Sequence, residues 1–242
     1  YNKNTAIPVV LNFHGGGGKP EQQRRDSGMD KVSDSGEFIV VYPAGTGQKQ
    51  DRALSWNSGI GDNYANKNNI DDVGFTKAML DDIEKLFHID KKIIYATGFS
   101  NGGFMCYRLA FELSDRIAAI APVSGVMGTA YPRAPSRPVP IIHFHGLSDT
   151  FVPYNGGSGK GTLKNANLPS VEETIDYWIA HNECLADQSK DTQKGKAASK
   201  YYGAGKEGTE VILWTLKGAG HTWPGGKSSL PERIVGKINT DI

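Results

Sequence analysis

The sequence predicts an α/β fold with a mainly parallel sheet flanked by helices. Two patterns support this prediction: short runs rich in Val, Ile and aromatic residues alternate with longer amphipathic segments, and each short run has the length of a buried strand. Alternating strands and helices are typical of parallel sheets covered on both faces. With 242 residues, the chain is expected to form a single domain over residues 1–242.

The predicted elements follow in chain order. Six apolar runs are predicted as strands, at residues 9–13, 38–42, 93–99, 117–123, 141–144 and 211–216. Three amphipathic segments are predicted as helices, at residues 72–87, 101–113 and 170–181. Acidic residues lie at the start of the first and third of these helices, where they would interact favourably with the positive end of the helix dipole. The polar, lysine-rich stretch 182–208 is predicted to be a solvated surface loop.

Charge and hydropathy exclude several classes of protein. The 27 Lys and Arg nearly balance 26 Asp and Glu, for a formal net charge of +1. Binding to nucleic acid or to an acidic membrane usually needs a basic face, so we expect neither partner. No apolar run approaches the roughly 18 residues of a spanning helix, which argues against a membrane protein. The 30 glycines exceed the usual share of about 7% and predict many tight turns.

The cysteines and the start of the chain are less informative. Cys106 and Cys184 are the only cysteines, and both a disulfide and two buried thiols fit the sequence. They lack the paired Cys or His spacing of a zinc site, so we expect no metal. The chain starts at Tyr1 without a signal-peptide pattern, from which we expect a processed protein or an excised segment.

A glycine-flanked serine follows the third predicted strand. Residues 98–102 read Gly-Phe-Ser-Asn-Gly and lead directly into a predicted helix. A nucleophilic serine on a strand-to-helix turn needs a strained backbone, which flanking glycines permit. The helix that follows directs backbone N–H groups and its positive end toward a developing oxyanion. We predict that Ser100 is a nucleophile; the alternative is a tight turn in which Gly102 and Gly103 pack the helix against the sheet.

A serine nucleophile needs a base and an acid that orients the base. The order expected for this kind of turn is Ser, then Asp or Glu, then His. Asp149 follows the strand at 141–144, and His221 follows the strand at 211–216. Because the carboxyl ends of parallel strands share one edge, both side chains are expected to meet Ser100. The alternatives are a turn-forming aspartate and a structural loop histidine.

The oxyanion of an acyl transfer needs two hydrogen-bond donors. One is expected to be the backbone N–H of Asn101, and the other a glycine N–H in the loop after the first strand. Gly16 is the first choice and Gly15 the second, with His14 anchoring the loop. A phosphate-binding loop is the competing interpretation, but the Ser or Thr that it requires is replaced by Pro20.

Four other side chains near these loops are of interest. His143 and His145 are two residues apart and share one face of a predicted strand, but no third ligand lies near them, so we expect no metal there. His145 is instead expected to brace the turn that carries Asp149. Trp223 is predicted to line the substrate pocket, or else to be a core or lid residue. Trp56 lies in a long irregular segment that looks too polar for the core, and it is predicted to line the substrate pocket and shape specificity.

Several long motifs resemble those of one enzyme family. They read LNFHGGGG, VVYPAG, DDVGF, GFSNGGFMCYRLAFELSDRIAAIAPVSG, HFHGLSDTFVPYNGG and GAGHTWPGG. Together they resemble polyhydroxybutyrate-depolymerase-like esterases, which are α/β-hydrolases related to the feruloyl and acetyl xylan esterases of carbohydrate esterase family one. The resemblance implies Ser100, Asp149 and His221 as a catalytic triad, no cofactor, and a secreted or periplasmic location. Members of this family usually carry a hairpin before the glycine-loop strand and a closing helix after the His loop, and we find no counterpart of either in the sequence. We therefore expect either a trimmed domain of a larger secreted protein, with further domains, or a rearranged version of the fold.

The sequence therefore predicts a serine carboxylic ester hydrolase. The expected substrates are phenolic or acetyl esters of plant cell-wall polysaccharide, because members of the resembling family commonly act there. Hydroxybutyrate oligomers are the alternative substrate. An acyltransferase with the same triad remains a rival, and a non-catalytic binding module is disfavoured because all candidate triad residues are present.

Overall fold

A nine-stranded sheet forms the centre of the computed structural model, which describes residues 5–49, 51–128, 131, 134–228 and 231–236. The strands of the chain are β1 (Ile7–Phe13), β2 (Ile39–Val41), β3 (Ile89–Phe99), β4 (Ala119–Val123), β5 (Ile141–Gly146), β6 (Gly157–Ser158), β7 (Asn167–Leu168), β8 (Leu185–Ala186), β9 (Thr192–Lys194), β10 (Ala197–Gly203) and β11 (Val211–Leu216). The α-helices are α1 (Pro20–Ser27), α2 (Met29–Gly36), α3 (Tyr64–Lys67), α4 (Asp72–Leu86), α5 (Asn101–Glu112), α6 (Val171–His181) and α7 (Glu232–Val235).

The sheet is mainly parallel, as predicted. Its strand order is β2-β1-β3-β4-β5-β11-β10-β8, with β9 paired to β10. All neighbours from β2 to β11 pair in parallel, whereas β10 is antiparallel to β11, β8 and β9. The carboxyl ends of β1, β3, β5 and β11 therefore lie along one edge, and the loops with the candidate site residues leave from that edge.

Strand β1 and helix α5 are largely buried in the middle of the fold. In β1 the side chains of Val9, Leu11 and Phe13 are completely buried, as expected for a strand with alternating core contacts. Helix α5 packs against β3 and β4, and nine of its twelve residues are buried. This buried helix gives the turn that precedes it a rigid support.

The polar stretch 182–208 is not simply a surface loop, so that prediction was wrong. It contains β8, β9 and β10 and extends the sheet beyond β11. In β10 the small side chains of Ala197 and Ser199 face inward, while Lys200 is exposed. The strand therefore contains no apolar run that a sequence search would find. The sequence analysis does not predict helices α1 and α2, because each is only eight residues long and mostly polar.

The structure decides between the two states left open for the cysteines. Cys106 and Cys184 are both buried free thiols, and burial raises the pKa of each. Within the described part of the chain, no helix combines the length and the apolar character needed to cross a membrane.

Candidate active site

Ser100 lies at the turn between β3 and α5 in a strained backbone conformation. Its φ and ψ are 54° and −117°, values that non-glycine residues rarely adopt and that cluster at functional sites. A Cβ on Gly98 would lie 2.6 Å from the backbone of Gly102, and a Cβ on Gly102 would collide with the carbonyl oxygen of Phe13. Both glycines are therefore required for the close approach of strand, turn and helix.

Asp149 and His221 meet in a buried hydrogen bond. His221 Nδ1 lies 2.8 Å from Asp149 Oδ2, and each residue is only 5% exposed. Asp149 Oδ1 accepts from the backbone N–H groups of Phe151 and Val152 at 2.8 and 2.9 Å. Burial alone would raise the pKa of Asp149, but the hydrogen bond and charge of His221 outweigh it and lower that pKa. The carboxylate is thus held in its ionised form against the imidazole.

Ser100 and His221 line the same cavity, which has a volume of about 740 Å³. The imidazole of His221 lies between two phenyl rings: its centroid is 4.6 Å from that of Phe99 and 5.3 Å from that of Phe151, the latter pair inclined by 19°. Ser100 Oγ has no hydrogen-bond partner among the described residues. Catalytic hydrogen bonds are often long in enzymes without substrate and tighten when it binds.

The glycine loop after β1 leaves two N–H groups free for a ligand. The N–H of Gly17 donates to the carbonyl oxygen of Leu54, and that of Gly18 to Gly15. Within the described residues, the N–H groups of Gly15 and Gly16 have no such partner. A Cβ on Gly16 would lie 3.5 Å from Asn101 Cβ, so this part of the loop lies beside the first residue of α5.

A buried histidine anchors this loop. His14 Nε2 accepts from the backbone N–H of Gly45 at 3.0 Å, and burial lowers the pKa of His14. The indole Nε1–H of Trp56 donates to the carbonyl oxygen of His14 at 2.9 Å. These contacts fix the start of the glycine loop, as the sequence predicted for His14.

The prediction that Trp56 lines the substrate pocket is wrong. Its side chain is completely buried, packs edge-to-face on Phe13 at 5.1 Å, and is absent from the described lining of the cavity. The surrounding segment is rich in polar residues and therefore looks unsuited to a core position. It can nevertheless be buried, because its polar groups form hydrogen bonds within the protein. The side chain of Asn101 accepts from the N–H of Trp56 at 2.7 Å and donates to its carbonyl oxygen at 3.1 Å.

The structure places Trp223 on the cavity wall, together with Phe99 and Phe151. The two phenylalanines were not singled out from the sequence. Phe99 immediately precedes Ser100, and Phe151 follows Asp149 by two residues, so their proximity to candidate residues was the available signal. Among the described residues, no group of three or more His, Cys, Asp or Glu side chains is arranged to hold a metal ion.

Comparisons with known proteins show the family to which the chain belongs. A model of the family described as Phospholipase/Carboxylesterase matches residues 58–190, more than half of the chain. The chain is 30% identical to feruloyl esterase B of Piromyces equi over 94% of this chain and 42% of that protein. It is 32% identical to a bifunctional acetylxylan esterase/xylanase of Neocallimastix patriciarum, over 65% of this chain and 21% of that protein. The chain thus spans less than half the length of either relative.

A solved structure shares the fold. The acetyl xylan esterase from Aspergillus awamori superimposes with a TM-score of 0.57 at 18% identity, over 90% of this chain and 85% of that one. At this identity the likeness shows the architecture, which is that of an α/β-hydrolase.

Proposed function

This chain belongs to the phospholipase/carboxylesterase family and is a carboxylic ester hydrolase, and we propose that Ser100, His221 and Asp149 form its catalytic triad. The observation that carries this proposal is the buried hydrogen bond between His221 Nδ1 and Asp149 Oδ2 at 2.8 Å, beside a cavity that Ser100 also lines. An imidazole whose Nδ1–H is held by a carboxylate presents Nε2 as a base.

The backbone N–H groups of Asn101 and Gly16 would receive the oxyanion. Asn101 is the first residue of α5, where N–H groups lack partners within the helix. Gly16 lies next to Asn101 in the glycine loop, and the N–H groups of Gly17 and Gly18 are already used inside that loop. This distribution favours Gly16 over the later glycines as the second donor.

The proposed reaction proceeds in two acyl transfers. Ser100 Oγ attacks the ester carbonyl while its proton passes to His221 Nε2, and the carbonyl oxygen becomes an oxyanion. The tetrahedral intermediate collapses to an acyl-serine, and the alcohol leaves with the proton from His221. Water then attacks the acyl-serine, again giving a proton to His221, and the acid leaves as Ser100 recovers its proton.

The proposed substrates are phenolic or acetyl esters of plant cell-wall polysaccharide. Two relatives of this chain are named for feruloyl ester and acetylxylan cleavage. Three aromatic side chains, Phe99, Phe151 and Trp223, line the cavity near the reacting groups, and such rings stack well on a phenolic acyl group. Polar and charged side chains including Asp62 and Lys160 line other parts of the same cavity and suit a hydroxylated sugar.

Two measurements test the proposed function. Ser100→Ala should lower turnover by at least about 10⁴-fold with an unchanged circular dichroism spectrum; undiminished hydrolysis would refute the mechanism. Release rates from methyl ferulate, acetylated xylan and hydroxybutyrate oligomers then rank the substrates. We expect the plant esters to be cleaved faster, and cleavage of the oligomers alone would reverse the ranking.

We also propose that the enzyme acts outside the cytoplasm, in a secreted or periplasmic form, because polysaccharide esters of the plant cell wall are too large to enter a cell. Fractionation of the source organism tests this proposal. Esterase antigen found in the cytoplasm alone would contradict it.

A further inference from the structure

A line of buried side chains extends from Asp149 into the protein interior. Tyr107, His143 and His145 are all completely buried. The hydroxyl of Tyr107 lies 2.7 Å from His143 Nδ1, and His143 Nε2 lies 3.1 Å from His145 Nδ1. At the near end, His145 Nε2 lies 2.8 Å from the carbonyl oxygen of Val152 and 3.7 Å from Asp149 Oδ2. Each polar atom of the three side chains thus takes part in a hydrogen bond.

The hydrogen positions in this line follow from one carbonyl group. The oxygen of Val152 can only accept, so His145 Nε2 must carry a hydrogen and donate it. Burial lowers the pKa of His145 and lowers that of His143 well below its usual value, so each ring is neutral and carries one hydrogen. His145 Nδ1 therefore accepts from His143 Nε2–H, and His143 Nδ1 accepts from Tyr107. Both histidines are fixed in the Nε2–H tautomer.

The hydrogen bond from His145 to Val152 helps to hold the turn that carries Asp149. Val152 is held from both sides, because its N–H donates to Asp149 Oδ1 and its carbonyl oxygen accepts from His145. With Oδ1 occupied by the backbone of the turn, Oδ2 is directed toward His221. The rings of His143 and His145 are nearly parallel, at 6° and 5.3 Å, so His145 has little freedom to rotate away.

We propose that His145 is a positioning residue that holds the Asp149 carboxylate toward His221 through Val152, and that His143 and Tyr107 hold His145 in the tautomer that donates. The inference rests on the proposed function, since it assigns catalytic roles to Asp149 and His221. It goes beyond a brace for the turn because it specifies one donor atom, one acceptor atom and one tautomer.

The first test compares two substitutions of His145. His145→Leu removes the donor to Val152 and should lower kcat by about 10²-fold with little change in KM, because the carboxylate moves while substrate contacts remain. His145→Gln keeps an N–H donor near the position of Nε2 and should recover most of kcat. The matched control is Asn182→Ala, which removes a buried side chain that bonds Val139 N and O. It should cost stability while leaving the kcat of the folded enzyme unchanged.

The second test does not depend on activity. Nitrogen-15 spectra of histidine-labelled protein should show His143 and His145 as neutral Nε2–H tautomers, assigned from the signals lost on substitution. An Nδ1–H tautomer at His145, or full kcat in folded His145→Leu, would overturn the inference. Asp149→Ala separates it from the proposed function: if Asp149→Ala is inactive and His145→Leu is fully active, only the positioning role fails, whereas full activity of Asp149→Ala refutes the triad.

Discussion

The side-chain amide of Asn101 forms two hydrogen bonds with the backbone of Trp56, accepting from its N–H and donating to its carbonyl oxygen. The two residues are 45 positions apart, and the pair joins the helix after Ser100 to the segment beneath the glycine loop. The indole of Trp56 in turn donates to His14 at the start of that loop. The Asn101 amide therefore connects the positions of the two proposed oxyanion donors.

Removing this amide should damage both stability and turnover. Asn101→Ala leaves the buried N–H of Trp56 unpaired, at a cost of about 1–3 kcal/mol. It also removes one of two hydrogen bonds to the Trp56 carbonyl oxygen, which still accepts from the N–H of Ser58, and loosens the glycine loop while keeping the backbone N–H of residue 101. We expect a lower free energy of unfolding in urea and a lower kcat at temperatures where the variant is folded. Asn182→Ala breaks an equivalent pair of bonds to Val139 and should affect only stability. Equal kcat for the two variants would contradict the proposed connection.

The two tryptophans near the site should respond differently to truncation. Trp56 is completely buried, so Trp56→Ala should lower the free energy of unfolding by about 3–5 kcal/mol. Trp223 is partly exposed and lines the cavity, so Trp223→Ala should raise KM with a much smaller loss of stability. Thermal melting and steady-state kinetics on methyl ferulate separate these effects. A reversed pattern would show that the two side chains have been assigned the wrong environments.

The phenyl ring of Phe151 should assist the base. It stacks on His221 with centroids 5.3 Å apart, and an aromatic face stabilises a nearby cation such as the imidazolium by about 0.5–2 kcal/mol. Phe151→Leu should therefore lower kcat by about 2- to 30-fold, whereas Phe151→Tyr keeps a ring and should retain more turnover. The prediction fails if Phe151→Leu turns over as fast as Phe151→Tyr.

The free energy of unfolding should depend on pH in the way expected for a buried carboxyl group. Burial raises the pKa of Asp72 to about 6, although a hydrogen bond from Asn57 and the charge of Arg108 oppose that rise. The stability gained from neutral Asp72 is present below its unfolded pKa of 3.8 and is lost as the pH rises through about 6. The side chain of Asp72→Asn stays neutral. The free energy of unfolding of this variant, relative to that of the wild type, should therefore rise by about 1–3 kcal/mol between pH 4 and pH 7.

Urea unfolding of both proteins across that pH range measures this difference. Asp149, whose pKa is lowered, loses its stabilising effect at the acid end in both proteins, so its contribution cancels. A difference that is constant or that shrinks with rising pH would contradict the raised pKa of Asp72.

Much of the site could be predicted because turn chemistry and strand direction are local properties. Glycines 98 and 102 indicate the strained turn at Ser100, and the loops after β5 and β11 indicate where Asp149 and His221 leave the sheet. Parallel pairing then brings those loops to one edge without any knowledge of packing. The predicted bracing role of His145 has the same origin, since His145 lies on β5 and Asp149 follows it in the loop after that strand.

The rest of the structure depends on partners distant in sequence. The backbone of Trp56 can be buried because it pairs with the Asn101 amide, 45 positions away. The residues next to either position do not predict this pair. Strand β10 pairs with β11 from Ala197 to Tyr202, and this pairing stabilises it although its own sequence contains no run of Val, Ile or Leu. The two rings beside His221 come from the end of β3 and from the loop after β5, so only the folded chain brings them together.

The most direct test of the central claim is covalent labelling with a serine-directed fluorophosphonate followed by peptide mass spectrometry. The proposed triad predicts a single adduct on Ser100, formed in step with the loss of esterase activity, and almost no adduct in His221→Ala. Complete labelling of a different residue, or full esterase activity in protein labelled stoichiometrically at Ser100, would contradict the account.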